Sequence, residues 1–521
     1  MALGVNRIAL VLGGFGSGEG FGEGGNSGLG GYAAAGRNTR RTRGWSVQQG
    51  SPATDIIPDL PDLRGRSRDL ERNNPVALGA AQTKTNGVIG SGLKLRSVLD
   101  GEVLGLTPEE CKALQYDLER EWELFEREMD FTGQMHGRDQ QRLAYRSALV
   151  SGDIGVARRY RKRPGQTYGT KVVLIEADRI SNQLNQADTP TCQAGVKLSE
   201  DGEILGYWVM NKHPGDTMGP APTWAYVPRL GTATALPQFL LAAQVYRPGQ
   251  LRGVPLFAPV EEDLKQMGDY TAAELKAAVN DAYLFATEQV ATEVDDEGNP
   301  IVTRADGEED DAGELTLADL TITTLPPGSK LEVKKPERPN TAFGDFVDAY
   351  ATFIGVALGL PKEVLLMKFE ASFSASRGAL EMAWKGFAVD QDWFVRSVLD
   401  PIREWQFTEM VASGRFDAPG FFEDPIKRMA WLGRIWIGPT RIQINPQVEA
   451  GADETDLKNG VKTREQIMTE RTGGDFDTKG RAWLAENALV GAPGAASAPA
   501  KPNAEKNNDG TDKGNGDANA Q

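Results

Sequence analysis

A long, acid-rich helical run in the middle of the chain sets the strongest limit on what it can fold into. Between Pro259 and Val290 no proline interrupts a sequence dominated by helix formers. From Ala258 to Val290 the run is 33 residues, so at about 1.5 Å per residue it reaches roughly 50 Å. It carries Glu261, Glu262, Asp263, Asp269, Glu274, Asp281 and Glu288 against only Lys265 and Lys276. Its apolar positions are largely small: Ala272, Ala273, Ala277, Ala278 and Ala282. A helix with a thin apolar stripe and an acidic face does not suit a globular core. It suits a stave packed side by side with copies of itself.

The surroundings of this run are just as particular. Glu293–Glu314 holds ten acids and one Arg, without the D-x-[DN]-x-[DN]-G spacing of a calcium loop, and reads as a solvated acidic loop. β-like stretches at 315–325 and 330–333 follow, then Pro336, Pro339 and a second helix from Thr341 to Leu358 that Gly359-Leu360-Pro361 ends. Two helices therefore flank a small β-containing insertion of about 50 residues. Residues 362–376 read as a linker containing Phe369 and Ser372-Phe373-Ser374-Ala375-Ser376. A long helix is expected from Arg377 to Ser413, with Leu380, Trp384, Phe387, Phe394, Val398, Ile402 and Trp405 on one face. Pro401 falls inside it, which predicts a kink one turn earlier, near Ser397. After Gly414 come Trp431, Trp436 and short helices, one opening at the capping-box pattern Thr463-Arg464-Glu465-Gln466.

Upstream, Thr107-Pro108-Glu109-Glu110 opens a helix carrying Leu114, Leu118, Trp122, Phe125 and Met129, and a second runs from about Arg138 to Val150. Val156–Tyr160 and Lys171–Ile175 flank Arg161-Lys162-Arg163-Pro164-Gly165-Gln166, a hairpin with a basic tip. Arg158, Arg159, Arg161, Lys162 and Arg163 could touch a phosphate backbone; the plainer reading, a solvated hairpin arm, is preferred from sequence. Gly195–Leu198 and Leu205–Val209 flank a second hairpin turn, Ser199–Glu203. Both ends are too rich in Gly or small polar residues to order alone, with 13 Gly in residues 1–36 and no aromatic or branched aliphatic residue in 491–521. Gly14-Phe15-Gly16-Ser17-Gly18 lacks the Gly-Lys-Ser/Thr of a phosphate loop.

Composition removes several classes. A chain of 521 residues has room for three or four domains, and its net charge of −16 argues against a nucleic-acid binder held by bulk positive charge. Two Cys exclude a disulfide framework or a Cys-rich zinc site, and fit a reducing compartment. Only His136 and His213 are available for histidine-dependent catalysis. No metal site or cofactor is expected. The five-residue apolar run after Arg7 is too short for a signal-peptide core, and the uncharged stretch Ala349–Leu360 is too short to span a membrane.

The order of parts resembles a tailed-phage portal protein of the lambda type. Local strings add to the likeness: Arg72-Asn73-Asn74-Pro75 with Gly90-Ser91-Gly92-Leu93, Ser151-Gly152-Asp153, Leu174-Ile175-Glu176-Ala177-Asp178-Arg179, Gly195 through Val209, Arg247 through Pro255, and Ser374-Ala375-Ser376-Arg377. Together they cover about residues 40–485. Asn445-Pro446 departs from an expected Asp-Pro. The resemblance implies an α+β portal fold, assembled as a cyclic ring of twelve at one capsid vertex of the virion, through which double-stranded DNA is packaged and ejected. It implies a flexible arm (1–50), a wing (51–257), stem helices (258–291 and 341–361), a clip between them (292–340), a tunnel loop (362–376), a kinked wing helix (377–414), a crown (415–490) and a disordered tail (491–521). In such a ring Lys368, Phe369, Ser372 and Ser374 would belong to the tunnel loop. Glu261, Glu262, Asp269, Glu274, Asp281 and Glu288 would form the acidic face of the stem. The partners implied are further copies of the chain, DNA held without sequence preference, the terminase large subunit, a head–tail adaptor, and the major capsid and scaffold proteins, with assembly in the host cytoplasm and no membrane. No enzyme activity is expected. Two other readings remain: a nuclease using the acidic clusters to hold Mg²⁺, and a different ring-forming adaptor.

Overall fold

A computed structural model describes residues 49–288, 316–317, 320–321, 343–369, 372–440, 446–472, 474 and 476–490. The Gly-rich arm, the acidic 293–314 run, nearly all of the 292–340 insertion, Asn445 and the 491–521 tail lie outside the described residues. The described residues from Pro52 onward belong to one compact unit. It opens with three helices: α1 (Pro52–Ile56), α2 (Leu60–Asn73) and α3 (Pro75–Val88). Asn74 explains the break between the last two. Its Oδ1 accepts from the backbone N–H of Val76 (2.9 Å) and Ala77 (3.1 Å), and Pro75 takes the first helical position. Strand β1 (Lys94–Ser97) and a short α4 (Gly101–Leu104) lead to α5 (Pro108–Glu128) and α6 (Gly137–Ser151). Thr107 and Glu110 close the expected capping box on α5.

The β-rich part follows. Strands β2 (Asp153–Tyr160) and β3 (Thr170–Glu176) form the expected basic-tipped hairpin, pairing from Ile154↔Glu176 to Tyr160↔Thr170. Then β4 (Cys192–Gln193), β5 (Val196–Leu198), β6 (Ile204–Met210) and β7 (Trp224–Pro228) build an antiparallel sheet in that order. Strand β8 (Phe239–Ala243) returns to the free edge of β2, completing a second sheet in the order β3-β2-β8. Phe239, Tyr207, Val196 and Ile175 fill the space between these strands.

The long acidic run becomes α7 (Glu261–Glu288), preceded by one tight turn at Ala258–Val260. Of the insertion beyond it only the pair β9 (Thr316–Leu317) and β10 (Leu320–Thr321) is described. Then come α8 (Phe343–Leu358), α9 (Lys362–Leu365), α10 (Phe373–Phe394), a π-helical segment (Val395–Leu399) and α11 (Asp400–Ala412). The π-segment is centred on Ser397. Pro401 has no N–H to return to the Ser397 carbonyl, and the widened turn absorbs the mismatch. Helix α12 (Pro425–Trp431) and β11 (Arg434–Ile437) follow, with β11 pairing antiparallel to β1. The chain ends in α13 (Pro446–Lys458), α14 (Arg464–Thr472), opened by the Thr463–Gln466 box, and α15 (Phe476–Val490). One large core joins α3, α5, α6, α10 and α11 through Trp122, Phe125, Tyr145, Phe394, Trp405 and Phe407, with Phe421 and Trp431 packed against it. The fold is mixed helix and sheet, in line with the expected α+β class.

One expectation is corrected. Residues 374–376 do not belong to a linker, because α10 begins at Phe373, four residues before Arg377. The Ser372 hydroxyl accepts from the Ala375 N–H (3.4 Å) and caps the helix there.

Candidate functional site

Helices α7 and α8, the expected stem, lie against each other through aromatic and polar contacts. The Tyr350 hydroxyl donates to Asp263 (2.8 Å). Tyr270 packs on Phe346 with ring centroids 4.8 Å apart, and Phe346 stacks on Tyr350 at 5.4 Å. The root of α7 is hooked to α3's cap: Asn74 Nδ2 donates to the Leu264 carbonyl (2.9 Å), while Val260 and Leu264 are buried. Further along, large apolar groups remain in the open, including Leu275 on α7, Phe353 and Val356 on α8, and Met382 and Val389 on α10. Phe353 and Val356 are three residues apart and therefore share a face. Such patches on a single chain mark surfaces that another molecule covers.

The six acids assigned to the stem face do not behave alike. Glu262 and Asp269 are exposed and Glu274 half-buried; Asp269 pairs with Lys265 at 3.0 Å. The side chains of Asp281 and Glu288 lie outside the described residues. Glu261 is the exception, because it is only 6% exposed. Neither of its carboxylate oxygens finds a hydrogen-bond partner among the described residues. Burial pushes its pKa up to about 7, against the pull of the neighbouring Arg66 guanidinium. Glu261 is thus part of the root that packs against α2, not of an open acidic face.

The loop between α8 and α10 is pinned in its middle. Gly359 takes a positive φ of 67°, and the Leu360 N–H bonds back to the Gly355 carbonyl (2.8 Å). A Cβ on Gly355 would sit 2.4 Å from the Leu360 oxygen, so only glycine allows this close return. Val364 and Leu365 are buried on α9, whereas Met367, Lys368 and Phe369 are exposed. The Lys368 N–H bonds to the Glu363 carbonyl (3.0 Å) and ties this short exposed stretch to α9. Ser372 is a helix cap and Ser374 an exposed residue of α10's first turn, so only Lys368 and Phe369 of the four predicted loop residues lie in the loop proper.

Sequence reasoning missed the polar junction that joins the sheets to α2. Arg252 is fully enclosed and donates to both oxygens of Asp153 (2.7 and 2.9 Å) and to the carbonyls of Ala177, Ile180 and Ala194 (2.8 Å each). Arg64 adds a 3.2 Å contact to Asp153, and the Gly253 N–H a 3.0 Å bond. Burial alone would raise the Asp153 pKa, but Arg252 and Arg64 outweigh it and hold the carboxyl below its ordinary value. Arg64 itself is lowered to about 10, first by desolvation and then by Arg252. Three of the strings noted in the sequence meet here, Ser151–Asp153, Leu174–Arg179 and Arg247–Pro255, with Ala194 directly ahead of the Gly195–Val209 string. The signal was present as separate strings, yet nothing local said that they would share one guanidinium.

No chemistry-bearing cluster competes with this picture. His136 caps α6, its Nδ1 accepting from the Arg138 N–H (3.2 Å), and His213 lies beside Glu176 and Asp178. Among the described residues no three His, Cys, Asp or Glu side chains are gathered to hold a metal ion, and no helix is long and apolar enough to cross a membrane.

The family profile for phage portal protein, lambda family, matches residues 38–391. The chain belongs to the lambda family of phage portal proteins. Among its relatives, the portal protein of Escherichia phage N15 is 24% identical over 465 residues, covering 83% of this chain and 85% of the relative. Portal protein B of Escherichia phage lambda is 23% identical over 467 residues, with the same coverage. The probable portal protein of Halomonas phage phiHAP-1 is 25% identical over 456 residues, covering 85% of this chain and 83% of the relative. Among solved structures, a chain from the neck of an empty GTA particle is similar at a TM-score of 0.39 and 13% identity, over 77% of this chain and 92% of that one. The portal family is one of structural virion components.

Proposed function

We propose that this portal chain works as a closed ring of twelve at a single capsid vertex, a conduit for double-stranded DNA during packaging and ejection. The observation that carries the ring is the unpaired apolar surface of α7, α8 and α10, on elements that already pack pairwise within the chain. A heterologous contact repeated around an axis covers such faces on every copy at once. In this reading α7 and α8 are the stem, 292–340 the clip that faces the terminase large subunit and later the head–tail adaptor, and Lys368 with Phe369 the part of the tunnel loop that approaches DNA without reading bases. The wing and crown meet the major capsid and scaffold proteins, and the ring assembles in the host cytoplasm. The chain performs no catalysis of its own.

Mass photometry tests the ring. Twelve copies of 56.4 kDa give a particle of about 680 kDa. A soluble chain that stays monomeric at micromolar concentration would overturn the proposal. Removing residues 293–314 is expected to leave the ring intact and to weaken terminase docking. Loss of the ring instead would make that acidic run a structural element.

A further inference from the structure

The tip of the β2–β3 hairpin is a cluster of cations, four of which make no ion pair among the described residues. In a chain with a net charge of −16, residues 154–175 contain six Lys and Arg and no Asp or Glu. Strand β8 pairs with β2 only as far as Ala157, and Asp130 bridges Val172 on the far side of β3, so the pairs Arg159↔Lys171 and Tyr160↔Thr170 extend past both supports. Arg159, Arg161 and Lys162 are exposed and Arg163 half-buried. Among the described residues none of these four makes an ion pair.

Acids do stand near the hairpin, but neutral N–H and O–H groups, and not the four cations, are their hydrogen-bonded partners. Glu128 accepts the backbone N–H groups of Thr167 and Tyr168 (2.8 and 3.0 Å). Glu409 accepts those of Gly169 and Thr170 (2.7 and 2.8 Å). Asp130 takes five bonds within its own turn and the helix that follows, from Thr132, Gln134, Met135 and Gln140. Glu128 and Glu409 thus hold the 167–170 backbone at the β3 side of the tip, and neither they nor Asp130 forms an ion pair with Arg159, Arg161, Lys162 or Arg163. Two of the arginines are also held in place. The Arg161 guanidinium lies 4.5 Å over the Phe131 ring, and Arg163 donates to the Phe131 carbonyl. A stacked guanidinium keeps its N–H fork free for a planar or tetrahedral oxyanion.

We infer that the hairpin tip, through Arg159, Arg161, Lys162 and Arg163, is a contact site for the phosphate backbone of duplex DNA. An arginine-rich ribbon with no carboxylate on it fits phosphate chemistry, and phosphate contacts position a duplex without reading its sequence. The net charge of −16 opposes binding of the same duplex by bulk attraction, so a local cation cluster has to supply the contact. The inference stands apart from the channel, because it concerns DNA lying against the protein and not DNA threaded through a ring.

Closed circular duplex DNA makes the test, since a circle cannot be threaded. Binding of the full-length, assembled protein to a relaxed circle is measured between 50 and 200 mM NaCl. Four phosphate contacts predict a loss of about 10²-fold across that range, at a slope of about 0.9 per contact. Among the described residues the Arg159 and Lys162 side chains make no hydrogen bond or ion pair, so Arg159→Gln with Lys162→Gln keeps the fold. It is expected to reduce the slope by about two for each engaged hairpin, whereas Lys162→Arg leaves it unchanged. Wild-type protein that ignores the circle, or a double variant that binds as the wild type does, overturns the site. Equal, variant-sensitive binding to poly-glutamate would also overturn it, in favour of an acidic protein partner.

Discussion

Asp153 is a carboxylate that the fold cannot release. It is fully buried, held by Arg252 and Arg64, and its partners reach across three loops. Asp153→Asn keeps the shape and removes the charge, leaving two buried guanidinium groups without a counter-ion. Breaking one side of a buried pair costs about 3–5 kcal/mol, so the variant is expected to unfold at clearly lower urea. A midpoint within error of the wild type would show that the junction contributes little. Glu261 presents the opposite case, a buried acid whose carboxylate has no hydrogen-bond partner among the described residues. Its folded pKa, raised to about 7, lies above the ordinary glutamate value. The folded state therefore binds more protons than the unfolded chain between those two values, and stability falls as pH rises through that window. Glu126, pushed up to about 7 chiefly by desolvation, contributes in the same direction. Glu261→Gln is expected to flatten part of the decline and to gain about 1–2 kcal/mol at pH 8, read as a urea midpoint at pH 5, 6.5 and 8. An unchanged pH profile would mean that the carboxylate reaches water.

At the scale of elements, what could be read from sequence was what repeats locally. Helix α7 was expected over 258–290 and spans Glu261–Glu288; the kink placed near Ser397 is the π-segment Val395–Leu399; both hairpins pair as drawn. Proline, capping pairs and apolar spacing act within a few residues, so they are visible in a window. The start of α10 was missed because Ser-Phe-Ser-Ala-Ser has weak helix propensity, and one capping hydroxyl outweighs it. The burial of Glu261 was missed because α2, which packs against α7 and brings Arg66 beside this carboxylate, lies some 190 residues earlier in the chain. The pairing of β1 with β11 spans about 340 residues and left no local trace. The acids of α7 beyond its buried root carry a prediction of their own. Glu262, Asp269 and Glu274 would present a repelling wall to a duplex in a stem-lined bore, and only charges within about 8 Å of it are felt at physiological salt. Replacing all three with Lys is expected to leave the ring assembled, to slow packaging and to create salt-sensitive retention of linear DNA. Packaging at the wild-type rate, without new retention, would place these acids away from the DNA path.

For the whole molecule, charge and apolar surface pull in opposite directions. Each copy carries −16, so a ring of twelve holds about −190 before counterions. Bringing the copies together concentrates like charge, while covering Leu275, Phe353, Val356, Met382 and Val389 removes apolar area from water. The apolar term changes little with moderate salt, whereas the repulsion shrinks as the Debye length falls from about 30 Å at 10 mM to about 8 Å at 150 mM. Assembly should therefore strengthen as salt rises through that range. Contact between the β2–β3 tip and DNA should weaken over the same range, because it draws its affinity from counterion release. The two opposite slopes separate ring formation from DNA contact in one titration. Mass photometry of the chain at 10, 50 and 150 mM NaCl, without DNA, is expected to show the share of ring growing at the expense of small species. A ring that dissociates as salt is added would mean that ion pairs between copies, and not the apolar faces of the stem and of α10, hold it together.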